Sequence, residues 1–151
     1  MCSSDLCMLE SMNIYDCPKL RIKPLPPRAT ELRISKSDSV LSSWGECTCA
    51  STTSSYPVDT TLHVLHSEVP MYQWRLLQHL PGLIHLEITD CDDLTCSPEI
   101  IRHLSSLLEL RISECSGLIE LHESMRLLTK MQSLTLYDCS NIASLPHWLG
   151  K

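Results

Sequence analysis

The sequence predicts an α/β solenoid: a horseshoe arc of about six stacked units, with a parallel concave β-sheet and an irregular or short-helical convex side. Three observations predict it. A 24-residue pattern recurs without gaps, each copy contains a strand-period alternation, and the apolar inventory is aliphatic, with 43% apolar residues but no Phe, four Tyr and three Trp. A chain of 151 residues with that apolar content is expected to form a single domain, 1–151, with a layered, Leu-rich core.

The repeat carries most weight, because self-similarity at a fixed period decides the architecture. "LPGLIHLEITDCDDL" (80–94), "LSSLLELRISECSGL" (104–118) and "LTKMQSLTLYDCSNI" (128–142) superpose directly, so that Leu80, Leu104 and Leu128 are 24 apart, as are Cys91, Cys115 and Cys139. One further step back reaches Ser67, preceded by Leu62 and Val64 in the degenerate copy "TLHVLHSEVP". Upstream, Leu9, Met12, Ile14, Cys17 and Leu20 share the frame, and so do Leu32, Ile34, Ser37 and Val40. The spacing there is uneven, with 20 residues from Cys17 to Ser37 and 30 from Ser37 to Ser67. The excess falls in "SVLSSWGECTCASTTSSY" (39–56), whose six Ser and three Thr read as part of an irregular insertion over 39–61. Residues 62–151 hold the most regular units.

Within a unit, Leu110 and Ile112 alternate with Arg111 and Ser113, the period of a short strand with one buried face. Stacked units place such strands side by side and parallel, and each unit must then return across the outer face. Ser97-Pro98-Glu99 has the form of an N-cap, a first-turn proline and an early acid. Pro70 is expected to open another short helix, in which Met71, Trp74, Leu77 and Leu80 recur close to one face. One unit buries too little to stand alone; neighbours cover its apolar edge, each buried Leu contributing roughly 1.5–3 kcal/mol.

The composition also excludes classes of function. The formal charge of −6 comes from scattered acids, which indicates neither a nucleic-acid groove nor a basic membrane arm. No apolar run approaches the roughly 18 residues of a membrane span. Nine cysteines is an odd number, and the N-terminus lacks the charged start and apolar run of a signal peptide, so the thiols are expected to be reduced and the protein intracellular.

The units Leu83-Leu86-Ile88-Cys91, Leu107-Leu110-Ile112-Cys115 and Met131-Leu134-Leu136-Cys139 meet the pattern L-x-x-L-x-L-x-x-N/C, with the closing Leu94, Leu118 and Ile142 one position late. They resemble leucine-rich repeats. The strand followed by "DC" or "EC", the segment "IYDCPKL" (14–20) and the closing "SLPHWLG" (144–150) resemble the C-terminal repeats of plant nucleotide-binding leucine-rich-repeat disease-resistance proteins. That resemblance implies a cytoplasmic module for innate immunity without enzymatic activity. Its partner would be a protein: a pathogen effector, a host guarded protein, or the nucleotide-binding module of the same receptor. No G-x-x-x-x-G-K-[ST] occurs among the four glycines, so nucleotide binding is not carried over and no cofactor is expected. The chain has the form of a fragment of such a receptor. A general scaffold or a substrate adaptor of protein degradation is the alternative.

Cys17, Ser37, Ser67, Cys91, Cys115 and Cys139 are equivalent positions, which argues against a single nucleophilic centre and for a structural ladder of small groups that hydrogen-bond backbone. A zinc site from Cys47, Cys49, His63 and His66 has no recognised spacing, and disulfides between Cys2 and Cys7 or Cys47 and Cys49 are disfavoured by compartment. The expected working surface is the strands' polar face. Stacking aligns Asn13, Arg33, His63, Glu87, Arg111 and Thr135 in one column. Tyr15, Ser35, Leu65, Thr89, Ser113 and Tyr137 form the next, followed by the row that ends in Asp138. Tyr15 and Tyr137 are the expected anchors, and Arg111 is placed to pair across strands with Glu87.

Overall fold

The computed structural model describes residues 9–21, 29–42, 59–91, 93–94 and 98–150. Alternating apolar and polar residues form six strands among them: β1 (Ser11–Tyr15), β2 (Glu31–Ser35), β3 (Thr60–Leu65), β4 (Leu83–Thr89), β5 (Glu109–Ser113) and β6 (Ser133–Tyr137). They make one sheet in chain order, and every pairing is parallel. The protein is therefore α/β with an all-parallel six-stranded sheet and few helices.

The alternation dictates which face is buried. In β3, Leu62 and Val64 are inaccessible while His63 and Leu65 between and beside them are half-buried, and β5 repeats this with Leu110 and Ile112 buried and Arg111 exposed. The return segments cover the apolar face. Helix α1 (Asp38–Ser42) buries Val40 and Leu41, and α2 (Pro98–Arg102) buries Ile100 and Ile101. A five-residue helix is unstable by itself. Packing against the neighbouring return holds each one: α1 lies on Arg75–His79, and α2 lies on both Arg75–His79 and Glu123–Leu127. Strand and return side chains share one core cluster.

One return segment refines the sequence expectation and another corrects it. The short helix expected after Pro70 is a pair of 3-10 helices, Met71–Gln73 and Arg75–His79. Met71, Trp74, Leu77 and Leu80 are all buried, and their spacing of three matches the three residues per turn of a 3-10 helix better than the 3.6 of an α-helix. The Trp74 indole lies in the core and satisfies its Nε1–H by donating to the Val69 carbonyl at 2.9 Å. The irregular insertion expected over 39–61 overruns regular structure at both ends, because Ser39–Ser42 belong to α1 and Thr60 and Thr61 to β3; residues 43–58 and Ser97 lie outside the described residues.

At every strand end the chain turns through a left-handed residue. Asp16, Lys36, His66, Asp90, Glu114 and Asp138 all have φ between 49° and 55°, and none is glycine. Five of these residues donate their N–H to the last carbonyl of the next strand: Asp16 to Ser35, Lys36 to Leu65, His66 to Thr89, Asp90 to Ser113 and Glu114 to Tyr137. Those bonds offset the cost of the turn, roughly 1–2 kcal/mol for an L-residue. Among the described residues, no helix is long and apolar enough to cross a membrane.

Candidate interaction face

The strand register sets the polar residues in columns. Asn13, Arg33, His63, Glu87, Arg111 and Thr135 are successive register partners across all six strands, and so are Tyr15, Ser35, Leu65, Thr89, Ser113 and Tyr137. Their side chains stand on the face opposite the core. Tyr15 and Tyr137, at the two ends of the second column, are 53% and 65% exposed, while Ser35 between them is buried. Asp138 is exposed at the left-handed turn after β6.

The charges on this face pair differently from the sequence expectation. Glu87 does not meet Arg111: its Oε2 lies 2.9 Å from His63 Nδ1 on the preceding strand. Arg111 closes instead on Glu109 of its own strand, with Nη2 donating to Oε1 at 2.8 Å. Residues two apart in a strand point to the same face, so Glu109 reaches Arg111 without crossing a strand. The Arg111 guanidinium holds the Glu109 carboxyl below the usual carboxylate range, with His85 adding to the effect. His85 Nδ1 is 2.9 Å from Glu109 Oε2, and His63 Nε2 is 3.7 Å from Glu31 Oε1.

Glu31, His85 and Glu109 are thus part of the face although the sequence columns omitted them. Each immediately precedes the Leu of its strand's buried Leu-x-Ile pair (Leu32, Leu86 and Leu110), and they are register partners of one another through Thr61. Extending the two-residue alternation one step towards the N-terminus would have found them. Two shallow depressions flank the His63–Glu87 pair. One, of about 190 Å³, is lined by Thr61, His85, Glu109 and Arg111 among others, and the other, of about 130 Å³, by Arg33, Leu65 and Thr89 with the pair itself.

The ladder positions are turned the other way, into the core edge. Ser37, Ser67, Cys91 and Cys115 are buried, whereas Cys17 and Cys139 at the two ends are half-buried. The Cys17 N–H donates to Ser37 Oγ at 2.9 Å, and that hydroxyl donates to the Ser35 carbonyl at 2.9 Å. Cys91 and Cys115 repeat the donor half of this geometry with sulfur: their thiols donate to the carbonyls of Thr89 and Ser113, at 3.5 and 3.2 Å. Ser67 departs from the pattern, its hydroxyl donating to Asp38 Oδ1 at 2.7 Å.

Burial pushes the Cys91 thiol up to about 12 and the Cys115 thiol upward, outweighing the opposite pull of the backbone groups of the preceding unit. A reactive thiol needs the opposite shift. Cys17, Cys91, Cys115 and Cys139 are free thiols. Cys2, Cys7, Cys47 and Cys49, on which the disulfide and zinc alternatives depend, lie outside the described residues. His63 and His66 are engaged by Glu87 and, at 2.6 Å, by Asp90.

Compared with known proteins, the chain matches no protein-family model and no curated protein.

Proposed function

We propose that this chain is a leucine-rich-repeat recognition module that binds a protein partner on the concave face of a solenoid, without catalysis. One observation carries the reading: residues one repeat apart fall into register on a single polar face, with exposed tyrosines at both of its ends. Rigid neighbouring strands fix side chains at a regular spacing, which is how stacked repeats present an extended binding surface. The aromatic ends supply anchors, and the charged centre supplies selectivity.

The "DC" and "EC" strand endings favour the setting of a cytoplasmic plant immune receptor, in which the face senses a pathogen effector or a guarded host protein, or restrains a nucleotide-binding module. A double variant, Tyr137→Ala with Glu87→Arg, tests the reading in partner capture from challenged plant tissue. Loss of specific capture with an unchanged circular dichroism spectrum is the expected result, and undiminished capture removes the proposal.

A further inference from the structure

Within the proposed recognition face, on which this inference rests, we infer that Arg33 is the docking point for a carboxylate of the partner, an Asp or Glu side chain entering the depression beside the His63–Glu87 pair. Arg33 differs from the other arginine on the face. Arg111 is satisfied by Glu109 at 2.8 Å, but the Arg33 Nη2 lies 3.6 Å from Glu31, beyond hydrogen-bond reach. Its Nε is shielded from solvent and has no hydrogen-bond partner. Nε–H and Nη2–H are the two donors along one edge of the guanidinium, the edge that a carboxylate engages with two parallel bonds.

Glu31 is poorly placed to fill that role, because its Oε1 also lies 3.7 Å from His63 Nε2. A depression of about 130 Å³ adjoins Arg33, with Leu65 and Thr89 forming much of its lining. That space suits one short acidic side chain. Glu87 also lines it, but its carboxylate is already engaged by the His63 ring at 2.9 Å. Docking requires the half-exposed guanidinium to swing its free edge into the depression, which gives Nε the partner it lacks. The chain's net charge of −6 does not oppose this at contact range, since charges farther apart than about 8 Å are largely screened at physiological salt.

The test uses the whole chain and a displayed library of random peptides, keeping those that bind the wild type but not the Tyr137→Ala, Glu87→Arg variant. The expected survivors contain an Asp or Glu whose change to Asn or Gln weakens binding roughly tenfold. Arg33→Gln should cause the same loss, with no further loss when both changes are combined. Arg33→Lys should recover only part of it, because an ammonium lacks the two-donor edge. Arg102→Gln, on α2 away from the face, serves as the charge control, and thermal melts check folding. Survivors without an essential acid, or indifferent to Arg33→Gln, overturn the Arg33 assignment while leaving the face as a binding surface. If no peptide discriminates the face variant from the wild type, the recognition face itself fails, and the assignment with it.

Discussion

The N–H of Cys17 donates to the hydroxyl of Ser37 at 2.9 Å, so the ladder residue of one unit is tied to the backbone of the unit before it. The Ser37 hydroxyl completes the link by donating to its own strand end, and the Cys115 thiol donates in the same way to the Ser113 carbonyl at 3.2 Å. Hydroxyl and thiol are therefore interchangeable in kind at this position. Cys115→Ser should cost about 1 kcal/mol or less in urea denaturation. Cys115→Val removes the donor and adds about a methyl group to a fully buried site, and should cost about 1–3 kcal/mol. Equal costs for the two variants would show that packing alone matters there.

Cys91 makes a prediction about pH. Its thiol is pushed from 9.0 to about 12 by burial, so the folded chain keeps a proton that the unfolded chain releases from about pH 9. Below pH 9 both states hold the proton and stability is unaffected; as pH rises from about 9 to 12 the unfolded state gains and stability falls. Denaturation series across that range should show a shallower decline for Cys91→Ser than for the wild type, because a hydroxyl does not ionise there. Parallel slopes would remove this assignment.

The left-handed turns offer a stabilising change. Glu114 has φ 55°, a conformation costly for a side chain with a Cβ and free for glycine. Glu114→Gly should leave stability unchanged or raise it by up to about 1 kcal/mol, whereas Glu114→Val should lower it, since a β-branched residue is least tolerant of positive φ. Thermal melts of the two variants read the difference, and a more stable Val variant would contradict the turn geometry.

The ion pairs on the face make a directional prediction. Arg111→Gln should move the Glu109 carboxyl titration upward, towards the ordinary carboxylate range, as followed by carbon-detected NMR. An unmoved Glu109 titration would contradict the Arg111–Glu109 pair.

Much of this arrangement is legible in the sequence. The 24-residue spacing places Glu87 beside Arg111 and Arg111 beside Thr135, and those are the register partners observed. Spacing reports which strand positions adjoin, but not which way a long side chain leans. Arg111 has flexible reach to both Glu87 and Glu109, and only the three-dimensional packing shows that it takes the same-strand acid. The return segments were harder to read for another reason. A three-residue recurrence over Met71, Trp74, Leu77 and Leu80 is the 3-10 period, but over so few turns it also keeps close to one face of an α-helix, and such short runs are decided by the core they must cover. The left-handed turns were concealed because glycine, their usual marker, is absent from all six.

In the proposed module the polar face binds the partner, while the ladder thiols hold the stack. The most direct measurement compares two variants in one capture assay against wild type: Cys115→Ser, and the pair Tyr137→Ala with Glu87→Arg. Capture should persist in the first, with a lowered melting temperature at most, and be lost in the second, with its fold intact. Capture lost in Cys115→Ser at full stability, or retained in the face variant, would contradict the claim.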